Sequence, residues 1–239
     1  MSRVPAVLQT LALPALLDYV LTTQTDALST TLIICSSREA FLEHLACSLD
    51  HERPVDSTRS LQKLLTPTLH NLYTTRHVKL AFCASVQTLL AYMTAYDRAE
   101  AAHGEILGQD RKQRLVLVNV LALHAPSSSF SAQGLSRTFA LAAETALRVQ
   151  AQLLLVECQD HFRHLGARIE GDVDITDELE QEPTGIEVSD PWEQEVSILN
   201  VSARRFGSSH GERAWAGRTI KIKRIAGRWF RFHALDAAK

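Results

Sequence analysis

Three groupings of residues in this chain have types and spacings that chemistry could use. In the run Cys158-Gln-Asp-His161-Phe-Arg-His164 a thiol and two imidazoles fall at metal-ligand spacing. A closed zinc site needs further ligands from a second cluster, and the sequence has none of matching spacing. The run reads better as a strand-end cysteine followed by a polar loop. The serines of Ser127-Ser-Ser-Phe-Ser131 sit in no Gly-x-Ser-x-Gly elbow, and nothing in the spacing of the histidines argues for a nucleophilic triad. Neither grouping implies a metal or an organic cofactor, and no catalytic residue is assigned.

The third grouping is cationic. Arg204, Arg205, Arg213, Arg218, Lys221, Lys223, Arg224 and Arg228 are interleaved with Trp215, Trp229, Phe230 and Phe232. Cations in this setting can meet phosphates while the aromatic rings stack on bases. If Arg218 to Arg224 is a strand, Lys221 and Lys223 point away from Ile220 and Ile222. The aliphatic face then seals the core and the lysines meet solvent or a polyanion. Gly207-Ser-Ser-His-Gly211 supplies a loop flanked by arginines that could follow a sugar-phosphate backbone. The opposing reading puts the aromatic rings in the core and leaves the cations to guard an edge or to pair with acidic residues. Both readings stay open on the sequence alone.

Charge is distributed in blocks. The formal net charge of −2 hides eleven acidic residues and no Lys or Arg between Glu170 and Glu195, followed by ten basic against two acidic residues from Ala203 to Lys239. Such separation speaks to partners more than the total does. The acidic stretch, with Pro183, Gly185 and Pro191, is expected to be a loop that shields the basic block or meets a basic partner.

The elements that must position these residues follow from apolar periodicity. The 239 residues suit one α/β domain, and no run reaches the ~18–20 apolar residues of a membrane helix. Val4 to Leu21 predicts one or two short helices, and Pro5 and Pro14 interrupt the apolar stretch that a signal peptide needs. Thr30 to Cys35 and Val78 to Cys83 predict buried strands. Ser36 and Glu39 have capping-box spacing before a helix that would bury Phe41, Leu42, Leu45 and Leu49. A short helix is expected over Leu61 to Leu72, and another buries Val86, Leu89, Leu90, Met93 and Tyr96. Arg114 to Val120 and Gln152 to Cys158 predict two strands joined by a helix that buries Leu135, Phe139, Ala142, Ala146 and Val149. Unbroken apolar strands joined by helices predict a mostly parallel sheet covered on both faces. Three further strands are expected near Glu195 to Val201, Arg218 to Lys223 and Arg228 to His233, with a tight hairpin at Ala226-Gly227. Cys35, Cys47, Cys83 and Cys158 read as free thiols of a reducing compartment.

The block Arg114 to Cys158 resembles the second half of a RecA-type ATPase core. Its Ser131-Ala-Gln-Gly-Leu-Ser-Arg137 opens a helix much as a Ser-Ala-Arg-Gln run does in eukaryotic recombinases. The resemblance extends over roughly Thr30 to His233 and implies a single RecA-like three-layer domain with a C-terminal antiparallel extension. It departs from the family where nucleotide chemistry would sit. Ser36-Ser-Arg-Glu-Ala-Phe41 stands where the glycine-rich phosphate loop should be, and the first 103 residues contain no glycine. Asn119 and Val120 stand where an acid should hold Mg²⁺, and no catalytic carboxylate is expected nearby. Phe139-Ala-Leu-Ala142 matches the Phe-x-x-Ala docking pattern of recombinases but lies on a buried helical stripe, so core packing is the better reading. The implied protein is a pseudo-ATPase similar to the non-ATPase recombinase paralogues of the Shu complex. Such a subunit would be nuclear, would pair with another RecA-like paralogue, and would bind single- or double-stranded DNA in support of a recombinase. The alternatives are a RecA-like subunit of Elongator, binding tRNA, or a scaffold without nucleic-acid contact.

Overall fold

The central strands form because their residues can be buried on both faces. In β4 (Lys112–Val118) the run Leu115 to Val118 is fully buried, as is Leu153 to Val156 in β5 (Gln152–Val156). Such strands carry no polar alternation and require cover on each side. This computed structural model describes residues 4–8, 11–24, 27–51, 68–97, 112–158, 190–199 and 218–233. Within them the main sheet runs β3-β2-β4-β5-β1-β8, with β1 (Ala6–Leu8), β2 (Ala27–Ile34), β3 (Val78–Phe82) and β8 (Arg231–His233), and every pairing in it is parallel. A separate antiparallel ribbon pairs β6 (Glu195–Ser197) with β7 (Thr219–Lys221).

Helices cover both faces, giving three layers. On one side α1 (Leu13–Thr22) and α2 (Arg38–His51) pack Leu13, Leu16, Val20 and Phe41 against Leu32, Ile34, Val116, Val118, Leu154 and Val156. On the other, α4 (Val86–Ala95), α6 (Ala132–Arg148) and α7 (Ile222–Ala226) pack Leu89, Phe139 and Ile225 against Ile33, Leu117 and Leu155. The remaining helices are α3 (Leu69–Arg76) and the short α5 (Val120–His124). The α/β class, with a mostly parallel sheet flanked by helices and a small antiparallel sheet, is the one expected of a RecA-like domain. Among the described residues no helix is long and apolar enough to cross a membrane.

The β4–α6–β5 unit follows the sequence closely. Ser131 caps α6 by accepting the Gly134 N–H at 3.1 Å, and Leu135, Phe139, Ala142, Ala146 and Val149 are all buried. Arg148, in the last turn of α6, donates to the carbonyls of Met93, Thr94 and Tyr96 and so ties α4 to α6.

Elsewhere the structure corrects the expectations. Ala6 to Leu8 is a strand inside the main sheet, not helix, because a three-residue apolar run has no period to distinguish the two. Ser37, one residue beyond Ser36, caps α2 by accepting the Ala40 N–H at 3.1 Å, and Leu42 is exposed. Of the helix expected over Leu61 to Leu72, residues 61–67 lie outside the described ones, and Leu69 to Leu72 belong to α3, which Thr68 caps. Arg218 to Arg224 is not one strand. β7 stops at Lys221, and α7 follows because Ile222, Ile225 and Ala226 are spaced for one helical face. No hairpin forms at Ala226-Gly227. The chain leaves α7 and donates from Arg231 N–H to the Pro5 carbonyl, so β8 joins β1 in parallel. Among the described residues the antiparallel extension is confined to β6 and β7.

Gly134 lies where the loop before α6 presses on the helix. A Cβ built there would stand 2.1 Å from the Ser129 carbonyl oxygen. Gly134→Ala is expected to destabilise the domain by about 1–3 kcal/mol through that clash, read as a lower urea midpoint at unchanged slope. An unchanged midpoint would show that the Ser129 loop yields freely.

Candidate functional site

Two places concentrate polar residues: the carboxyl ends of the central strands, and the corner formed by α7 and β8. In open α/β sheets the carboxyl ends are where ligands bind, so these come first. β4 ends at Asn119, which takes a left-handed conformation (φ 62°) so that α5 can start at once. Asparagine tolerates that conformation better than most residues. Its Oδ1 accepts the Cys158 N–H at 2.7 Å, and its own N–H donates to the Val156 carbonyl at 2.9 Å, so the turn is tied to the end of β5.

Glu157, the next residue of that strand end, is fully buried and accepts the Leu121 N–H on Oε1 at 2.8 Å. Burial pushes its carboxyl up to about 8, against the N–H groups of Leu121, Ala122 and Val120, which favour the charged form. A carboxyl group thus stands close to Asn119, one that the sequence reading did not single out. The signal was one acidic residue ending the run Leu153-Leu-Leu-Val-Glu157. Cys35, at the end of β2, is buried nearby; burial first, then Glu157 and Cys83, push its thiol up, which leaves it unreactive. His124 is also buried, with Nε2 3.0 Å from Thr138 Oγ1, and burial lowers it to about 4. This junction stores a proton and fixes a turn, and it is sealed from solvent.

The α7–β8 corner is open to solvent. Asp190 accepts the Trp192 N–H at 3.1 Å and starts the 3₁₀ turn Pro191–Glu193, which buries Trp192. The ribbon aligns Val196 with Ile220, and the Ile222 N–H donates to the Gln194 carbonyl at 3.0 Å. These bonds place Glu193 under both lysines. Lys221 Nζ donates to Glu193 Oε2 at 3.0 Å and Lys223 Nζ to Oε1 at 2.7 Å. The Lys223 hydrogen bond, then that of Lys221, holds the Glu193 carboxyl low, and Glu193 in turn raises Lys223. One acidic residue of the Glu170 to Glu195 stretch thus partly neutralises two of the expected phosphate ligands. That is the pairing the opposing reading called for.

Other cations of the block remain outward. Arg218, Arg224, Arg228 and Arg231 are exposed. The Arg228 guanidinium lies over the Trp229 ring at 5.3 Å, and Lys223 Nζ lies 5.7 Å from the Phe232 centroid. Phe230 is core, packed edge-on against Phe139, whereas Phe232 is 36% exposed and rests against Trp192. Arg204, Arg205, Arg213 and Trp215, like His161 and His164, lie outside the described residues. The structure therefore brings together Lys221, Lys223, Arg224 and Arg228, with Lys223 and Arg224 on a helix and not on a strand face. Among the described residues no group of three or more His, Cys, Asp or Glu could hold a metal. No protein-family model matches this chain, and no curated protein matches it in sequence.

The buried junction makes a signed forecast. Glu157 holds its proton in the folded state up to about pH 8 but loses it near 4.5 when unfolded, so stability falls as pH rises between those values, by up to about 1.4 kcal/mol per pH unit. His124 acts oppositely. It stays neutral when folded down to about 4 but charges near 6.5 when unfolded, so stability falls as pH drops through that window. Above pH 6.5 Glu157 alone sets this slope. Denaturant titrations from pH 6.5 to 8 should show wild type losing stability and Glu157→Gln losing much less. Parallel curves for the two proteins would contradict the buried-proton account.

Proposed function

We propose that this chain is a non-catalytic RecA-like subunit that binds single-stranded nucleic acid through the α7–β8 corner. The observation that carries the reading is that Arg224, Arg228 and Arg231 are exposed on α7, the turn after it and β8, the same segment that carries the partly exposed ring of Phe232. Guanidinium groups can take phosphates while the ring offers a stacking face for a base. The residues after the strands that could carry a phosphate loop support the non-catalytic part. β1 is followed by Gln9-Thr10-Leu11-Ala12 and β2 by Cys35-Ser-Ser-Arg38, and no glycine precedes Gly104. A phosphate nest needs glycines for its backbone to wrap the anion. The resemblance carries the rest: a recombinase-mediator complex of the Shu type, a nuclear setting, a RecA-like paralogue as obligate companion, DNA as the polyanion and a recombinase as client.

A second reading is favoured by the Glu193 bridge. It gives Lys221 and Lys223 a structural task, tying the 3₁₀ turn to α7, and makes the corner part of a protein scaffold. An Elongator-type subunit on tRNA would use the same corner on RNA. The two outcomes separate in a salt titration. On single strands each phosphate contact contributes roughly 0.7 to the log–log slope. Replacing Arg224 and Arg228 together by Ala should lower the slope for an oligothymidylate by about 1.4. Glu193→Gln should raise the affinity, because both ammonium groups are then released to the strand. An unchanged slope in the arginine variant, with no gain from Glu193→Gln, would leave the scaffold reading standing.

A further inference from the structure

Two adjacent residues of the Pro191–Glu193 turn act on one aromatic ring. Trp192 meets Phe232 edge-on, with centroids 5.4 Å apart and ring planes at 84°. Glu193 reaches the same ring through Lys223. Its Oε1 accepts from Lys223 Nζ at 2.7 Å, and that ammonium stands over Phe232, 5.7 Å from the centroid. The backbone fixes the arrangement. The Ile222 N–H donates to the Gln194 carbonyl at 3.0 Å, which sets α7 beside the turn. Burial of Ile222 and Ile225 turns Lys223 outward, and β8 holds Phe232 in register with Val7 of the main sheet. A carboxylate, a cation and a ring from three separate elements are thereby linked in series at the α7–β8 corner.

Phe232 is 36% exposed, and a base can stack only on a ring face that nothing else stands over. A stacked base lies closer to a ring than the 5.7 Å at which the ammonium stands, so the two cannot share that face. An unheld lysine would swing away on its flexible four-carbon stem to meet a phosphate. Glu193 removes that freedom, and its other oxygen takes Lys221 at 3.0 Å, which anchors the carboxylate in turn. Base–aromatic stacking outweighs an exposed ion pair or an exposed cation–π contact. A strand can therefore displace the ammonium, at a cost in affinity.

We propose that Glu193 and Lys223 form a latch over the Phe232 ring, so that the corner holds phosphates while the latch is closed and admits a base only when it opens. This inference rests on the nucleic-acid reading of the corner and makes Phe232 a gated stacking face.

The test compares two strands of equal charge, an oligothymidylate and a phosphodiester chain of the same number of abasic tetrahydrofuran units. Fluorescence anisotropy on the full chain, at one salt concentration, gives the affinity for each, and the ratio of the two is the preference for bases. Glu193→Gln, which breaks both ion pairs, should raise that preference over wild type by up to about fivefold, the size of one exposed pair. Lys223→Ala should raise it too, although it removes a cation and so weakens binding of the abasic chain. Adding Phe232→Leu to either variant should take the rise away; should that double variant not fold, the single variants decide alone. A lysine that serves only as a phosphate ligand changes both affinities by the same factor. An unchanged preference in either single variant would thus overturn the latch and leave the nucleic-acid reading of the corner intact. A rise that survives Phe232→Leu would also overturn it. Failure of wild type and variants to bind either strand would overturn that reading and the latch together.

Discussion

The fold depends on how the chain leaves β4. A strand buried on both faces ends in a region without water, so its last polar groups must find partners within the protein. Asn119 meets that demand in a left-handed turn, accepting the Cys158 N–H on Oδ1, while Glu157 accepts the Leu121 N–H. The two bonds lock the ends of β4 and β5 together and aim α5 and then α6 back across the sheet. The buried stripe of α6, from Leu135 to Val149, follows that turn in the chain. The same bonds fill the place where a parallel α/β sheet usually receives a ligand.

The exposed cations lie later in the chain, on α7 and β8. β8 joins the sheet in parallel beside β1, and α7 is anchored by Ile222, Ile225 and Ala226, so a rigid base carries the outward arginines. Rigid elements present charges with little loss of side-chain order beyond the side chains themselves. Glu193 adds a restraint by holding two of the cations to the ribbon side. Its pairs are exposed and add little stability, so they bear on which cations are available to a polyanion and little on folding.

Much of this was legible in the sequence where burial is complete and segments are long. The strand beginning at Arg114, the helix opening at Ser131 and the stripe Leu135 to Val149 follow from apolar period that tertiary packing did not override, although the strand stops at Val118, short of the end of the apolar run. The short elements were not legible. Ala6 to Leu8 and Ile222 to Ala226 hold too few residues for a period to show, and β8 was paired wrongly because strand partners depend on the whole sheet. Glu157 could have been suspected from an acid closing a four-residue apolar run, but its contact with Leu121 needs the left-handed turn at Asn119. Of the expected phosphate ligands, Lys221 and Lys223 turned out to share Glu193, a contact between residues 28 and 30 positions apart that no local pattern encodes.

The most direct measurement of the central claim is an amide chemical-shift map of the ¹⁵N-labelled protein titrated with an oligothymidylate. The account predicts shifts concentrated on Arg224 to His233 and neighbouring amides of the Pro191 to Glu193 turn, with those of Val120 to Ala122 unmoved. Shifts centred on Asn119 to Ala122 and Glu157, or no shifts at saturating oligonucleotide, would contradict it.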